Sequence, residues 1–218
     1  MLALRAMNKE LKFFLAVLIA LLVPSLSWAT IMFIPGNNPQ PGEENVLLNK
    51  GTSGATVTGT TNQSGTTVSF GSGTQTLFEP ANGQARIEAT NGSSQVALSD
   101  ISSITSTSFY GDLIFNMHIG GTVGTSGGTA SISVVDNFGT ASLFTTTLGN
   151  GENFVTLVAT NGESIQSVGI SYALGFTDLR QVRISGIGGV PDSGTTLSLL
   201  GASMFGLALL RCKLATRH

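Results

Sequence analysis

Cysteine and tryptophan each occur once in 218 residues, histidine twice, and charged residues make up only 10% of the chain. One cysteine excludes an internal disulfide, and without a Cys/His cluster there is no tetrahedral ligand set for zinc. Ten basic residues against twelve acidic ones exclude the cationic face that nucleic-acid binding needs. Between Thr30 and Val190 no stretch carries helical periodicity, and the long uncharged apolar segments are confined to the two ends. The middle is instead rich in glycine, serine, threonine and asparagine.

The two ends read as addresses. Lys9 and Lys12 precede eleven apolar residues, Phe13 to Val23, then Pro24 and Ser27-Trp28-Ala29. That order of basic, apolar and small residues predicts a signal peptide over 1–29, cut by signal peptidase between Ala29 and Thr30, whether translation starts at Met1 or Met7. At the other end, Val190-Pro191-Asp192-Ser193-Gly194 is followed by sixteen uncharged residues, Thr195 to Leu210, and then by Arg211, Cys212 and Lys213. Sixteen residues make about 24 Å of helix, a marginal membrane span. Arg211 and Lys213 act as a membrane stop signal and hold the tail in the cytoplasm, which places the middle of the chain across the inner membrane. A permanent tail anchor fits the composition equally well.

The pentapeptide, helix and basic tail together resemble the VPDSG-CTERM variant of the PEP-CTERM sorting signal. The resemblance covers about the last 28 residues, with Asp192 and Ser193 standing where the commoner signal has Glu and Pro. It implies processing by an exosortase-type membrane protease, with the chain passing through an inner-membrane intermediate to the outer envelope surface or extracellular matrix of a bacterium that makes exopolysaccharide. Pro191 and Gly194 keep the motif extended and accessible, as a protease substrate must be.

The middle carries four basic residues, Lys50, Arg86, Arg180 and Arg183, against ten acidic ones, a net charge of −6. Phe33 to Gly42 holds three prolines and two glycines and cannot be regular throughout, so residues 30–50 read as an extended leader. From Gly51 to Gln75, eighteen residues are Gly, Ser or Thr, yet Val57, Val68 and Phe70 sit in alternating runs that fit a weak hairpin. Beyond it, Asn82-Gly83, Asn91-Gly92, Asn150-Gly151 and Asn161-Gly162 supply hairpin turns. They separate runs at Ala85 to Thr90, Val96 to Ile104, Leu113 to Ile119, Ala130 to Val135, Ser142 to Leu148, Phe154 to Thr160, Ser164 to Leu174 and Leu179 to Ile184. Period-two alternation with one apolar face predicts half-buried strands, and Phe154 to Ala159, apolar on both parities, reads as central. The expected architecture is an all-β antiparallel β-sandwich, jelly-roll-like, over 51–189, flanked by the signal peptide and, over 190–218, the sorting motif, a single transmembrane helix and the basic tail.

For chemistry the middle offers little. His118, its one histidine, lies among alternating apolar residues and reads as a sheet-face residue rather than a base. Glu79, Glu88, Asp112, Asp136 and Glu152 are the candidates for a glycosidase carboxylate pair, but sequence sets no separation between them. Asp136, Glu152 and Asp178 offer oxygen ligands for structural calcium near predicted turns, and ordinary Asx turns explain the same residues. No other cofactor is expected. With no tryptophan and only Tyr110 and Tyr172 in the middle, a flat aromatic sugar platform is poorly supported. In Phe176 to Gly186, Arg180 and Arg183 fall on opposite faces if pairing is regular. The reading is a non-enzymatic structural or adhesive envelope or matrix protein. A carbohydrate-binding module associated with exopolysaccharide is the competing class, and a secreted glycan hydrolase a third.

Overall fold

The computed structural model describes residues 30–188; the expectations for 1–29 and for 190–218 lie outside the described residues. Sixteen strands form: β1 (Thr30–Pro35), β2 (Glu44–Leu48), β3 (Ser53–Gly54), β4 (Thr56–Thr61), β5 (Thr67–Gly71), β6 (Thr76–Phe78), β7 (Gly83–Gln84) and β8 (Arg86–Thr90) in the first half. Then come β9 (Gln95–Val96), β10 (Leu98–Tyr110), β11 (Asp112–His118), β12 (Thr129–Asp136), β13 (Ala141–Thr147), β14 (Phe154–Thr160), β15 (Ile165–Phe176) and β16 (Asp178–Ser185). The described residues contain no helix, and every strand pair is antiparallel.

The strands make two layers. The front layer runs β1-β14-β11-β16, and the back layer runs β4-β5-β10-β15-β12-β13. Strand β2 pairs with β16 on one side and β4 on the other, so the layers join along that side. Along the opposite side Phe33 of β1 stacks on Phe144 of β13, with ring centroids 5.4 Å apart, and seals the core there. From β10 onward the chain passes back, front, back, front, back, front.

Alternation builds the core. Strand β4 alternates exposed threonines with buried Val57, Gly59 and Thr61, and β12 buries Ala130, Ile132 and Val134 while Ser131, Ser133 and Val135 face out. The largest fully buried side chains are Tyr110, Tyr172, Phe70, Phe115 and Phe176. Two glycines are required by close approach. A β-carbon on Gly59 would sit 2.5 Å from the Leu47 carbonyl oxygen, and one on Gly175, already at φ +69°, 2.5 Å from the Ala97 side chain.

Three expectations need correction. Residues 30–50 are not a leader outside the domain: β1 and β2 are sandwich strands, because Ile31, Val46 and Leu48 bury against the core, and only 36–43 is irregular. Pro35 is tolerated because β1 is an edge strand. Of the four Asn-Gly pairs only Asn91-Gly92 closes a hairpin, between β8 and β9. Asn161-Gly162 does have positive φ at both residues, but β14 and β15 belong to different layers, so that turn makes a crossover. Finally, β11 is not half-buried. Leu113, Ile114, Phe115, Asn116 and Met117 are all inaccessible, since segment 36–43 and arginine side chains cover its outer face.

Candidate functional site

The polar groups of the domain gather on the outer face of the front layer. Pairing of β11 with β16 sets Asp112, Ile114, Asn116 and His118 opposite Ser185, Arg183, Arg180 and Asp178. Between Ile114 and Asn116 the register slips, so β16 carries one residue more than β11. Gln181 takes up the slack at φ +54°, a left-handed conformation that few residues with a β-carbon adopt. The bulge returns Val182 to the core and turns Arg180 and Arg183 to the same face, which corrects the expectation of opposite faces.

Each arginine is held by carboxylates. Arg183 Nη1 lies 2.6 Å from Glu43 Oε2, and its Nη2 donates to Asn37 Oδ1, which ties segment 36–43 onto the sheet. Arg180 Nε donates to Asp178 Oδ1 at 2.7 Å and its Nη1 lies 3.7 Å from Glu152 Oε1. Arg86 bridges Glu88 Oε1 at 2.9 Å and Asp178 Oδ2 at 3.4 Å. Asp178 is fully buried at the centre of this network. Burial pushes the Glu88 carboxyl above the usual carboxylate range, against the pull of Arg86.

This network decides several sequence-level candidates. Of the glycosidase candidates, Glu88 lies 2.9 Å from Arg86 and Glu152 lies 3.7 Å from Arg180. The Nδ1 atom of His118 lies 3.7 Å from Asp178 Oδ2, and no hydroxyl among the described residues bonds to the imidazole, so no nucleophile–base pair is present there. The three calcium candidates do not come together. Glu152 and Asp178 both face Arg180, and Asp136 lies at the end of β12 in the back layer, where its Oδ1 accepts the amides of Phe138 and Thr140 at 2.8 Å each. That is the Asx-turn geometry of a hairpin. No group of three His, Cys, Asp or Glu able to hold a metal occurs among the described residues.

The other acids are local. Glu79 is buried with both carboxyl oxygens unbonded, and burial raises its pKa against the nearby Asn49 amide and Thr52 hydroxyl. Burial also raises Asp112, which accepts from Ser185, and Glu163, where Asp136 adds to the effect. Both tyrosines are buried. Tyr172 Oη donates to the Thr125 carbonyl at 2.6 Å and accepts from the Gly128 amide, and Tyr110 donates to the Ile104 carbonyl. Neither offers a ring to a ligand.

Beside the arginine network the front face holds a cleft of about 220 Å³, lined by Asn37, Asn45, Gln84, Phe154, Gln181 and Arg183. None of these except Arg183 stands out in the sequence, since they arrive from a loop and four strands. The outer face of the back layer differs. Its outward positions include Thr58, Ser69, Thr105, Ser167, Ser131 and Ser133, and a smaller depression of about 160 Å³ is lined by four serines with Asp100, Ile101, Leu143, Gly169 and Ile170.

Residues 189–214 match the VPDSG-CTERM motif, which includes Val190 to Gly194 and supports the exosortase sorting signal; the chain carries the mark of an exported, membrane-processed protein. No helix among the described residues is long and apolar enough to cross a membrane, and Thr195 to Leu210 lie outside them. No curated protein matches the chain. Two solved structures, both variants of the family 29 carbohydrate-binding module CBM29-2, align with 74% of this chain and 90% of theirs, at 15% and 16% identity and TM-scores of 0.24 and 0.23. At those scores the likeness says nothing of a ligand here.

Proposed function

We propose that this chain is a non-enzymatic adhesive or structural component of the bacterial envelope or matrix. It is exported by a signal peptide cut at Ala29–Thr30 and released from an inner-membrane intermediate by an exosortase-type protease. The observation that carries the proposal is the VPDSG-CTERM motif over residues 189–214, placed just after the last strand of the domain. Strand β16 ends at Ser185, and four residues of sequence separate it from Val190-Pro191-Asp192-Ser193-Gly194. At the other end Thr30, the expected mature N-terminus, opens β1. The proposed processing at both ends therefore leaves every strand intact. The alternation of layers from β10 to β16 supports a jelly-roll winding of the sandwich.

The non-enzymatic part of the proposal draws support from arginines clamped between the front-face carboxylates and from a histidine without a hydroxyl partner. The front cleft favours an adhesive role that includes glycans of the exopolysaccharide over a purely structural one.

Replacing Pro191 and Asp192 by Ala tests the sorting proposal. Hydrophobicity and basic flanks stay the same, so membrane insertion is expected to persist while processing stops. Intact-mass measurement of envelope protein is expected to give a wild-type chain that starts at Thr30 and lacks Thr195 to His218, and a variant that keeps that tail. A variant processed like the wild type would overturn the proposal in favour of a plain tail anchor.

A further inference from the structure

We infer that the front-face cleft is a binding site for an uncharged sugar chain, held by the amides of Asn37, Asn45, Gln84 and Gln181. The inference deepens the adhesive reading, on which it rests for access to a glycan outside the cell. Its first support is the way each amide is used. Gln84 Nε2 donates to Asn45 Oδ1 at 2.9 Å, Asn116 Nδ2 donates to Gln181 Oε1 at 3.0 Å, and Arg183 donates to Asn37 Oδ1. One end of each amide is thus fixed within the protein. The other ends, Nδ2 of Asn37 and Asn45, Nε2 of Gln181 and Oε1 of Gln84, have no partner among the described residues and line one cleft. A set of oriented amide donors and an acceptor matches the hydroxyls of a pyranose, each of which both donates and accepts. Because the amides are already held, little side-chain freedom is lost on binding.

The backbone gives the second support. Gln181, one of the lining residues, holds φ +54° at the bulge of β16. Such conformations are costly for a residue with a β-carbon and persist where a site depends on them. Charge selects the class of sugar. Glu43 neutralises Arg183, the only charged residue in the lining, and the domain around it is net acidic, which disfavours uronate-bearing chains. A cleft of about 220 Å³ holds roughly seven waters at ~30 Å³ each, the space of one sugar ring with the chain running out at the open side.

The test applies the full chain, in mild detergent, to an array of neutral oligosaccharides (glucans, mannans and galactans) and of uronic-acid oligosaccharides, followed by calorimetric titration of the best neutral ligand. Binding of a neutral chain is expected, with uronates weaker. Gln181→Gly removes the amide, and relief of the left-handed backbone offsets the lost hydrogen bond from Asn116, so it is expected to weaken binding by about tenfold or more with little change in melting temperature. Gln181→Asn, which keeps an amide and tolerates a left-handed φ, is expected to retain part of the affinity. Failure of every neutral glycan to bind, preference for uronates, or wild-type affinity in Gln181→Gly would each overturn the inference. None of these readouts depends on processing at the C-terminus, so the sorting proposal stands or falls by its own measurement.

Discussion

The front and back faces of one sandwich are built from the same strand period yet follow opposite rules. On the front, all three arginines of the described residues lie against four carboxylates and a row of amides. On the back, outward positions are mostly serine, threonine and glycine, with Leu143 exposed among them and Asp100 accepting from Ser72 and the Gly73 amide at one end. The difference shows where order has been invested. Fixing long charged side chains costs rotamer entropy that isolated surface pairs scarcely repay. A face that fixes them together, around a buried Asp178, has a fixed pattern of donors and acceptors to offer a ligand, whereas the rotating hydroxyls that dominate the back face do not.

The largest expected effect breaks the front network at its centre. Asp178→Ala leaves Arg86 and Arg180 without their shared buried carboxylate, and the expected loss is about 2–4 kcal/mol by chemical denaturation, the partial exposure of both arginines keeping it below a fully buried pair. Next, Arg183→Ala frees Glu43 and Asn37 together. About 1–2 kcal/mol is expected, with faster hydrogen exchange and proteolysis confined to 36–43.

Acidity separates the faces more gently. Burial raises the carboxyls of Glu79, Glu88, Asp112 and Glu163, so the folded state favours their protonated forms. A raised folded pKa means that the folded chain binds more protons than the unfolded one between the two values. Stability therefore rises as pH falls from neutral toward the unfolded carboxylate value of about 4.3, with Glu44, held below its usual range by the Ser64 amide, opposing at the acid end. Melting temperatures measured across that interval are expected to increase toward acid, and Glu163→Gln to flatten the profile. The smallest effect lies on the back face, where Ser131→Ala and Ser133→Ala are each expected to change stability by less than about 0.5 kcal/mol. A loss comparable to that of Arg183→Ala would mean that the back face also holds a network.

Strand content was legible because burial of one face enforces period two. The run Phe154 to Thr160 is β14 to the residue, and Leu113 to Ile119 and Leu179 to Ile184 differ from β11 and β16 by a residue or two. β1 and β2 escaped because the Pro- and Gly-rich segment between them is the louder local signal, while the burial of Ile31, Val46 and Leu48 depends on distant strands. Asn-Gly reports a turn but not which strand comes next to which, so three of the four pairs lie in connections other than hairpins. The bulge did leave a trace. Leu179 and Val182 are three residues apart before Ile184 resumes the period of two, and that break places Arg180 beside Arg183. The cleft left none, since Asn37, Asn45, Gln84 and Gln181 are ordinary surface amides until the fold brings them to one place.

The claim that the front face alone is organised for a ligand is tested most directly by NMR chemical-shift mapping of the isotope-labelled full chain as a neutral oligosaccharide is added. Shifts confined to Asn37, Asn45, Gln84, Phe154, Gln181 and Arg183 and their neighbours are predicted, with Ser131, Ser133, Gly169 and Ser171 unmoved. Shifts centred on the serine face, or none at either face at saturating ligand, would contradict it.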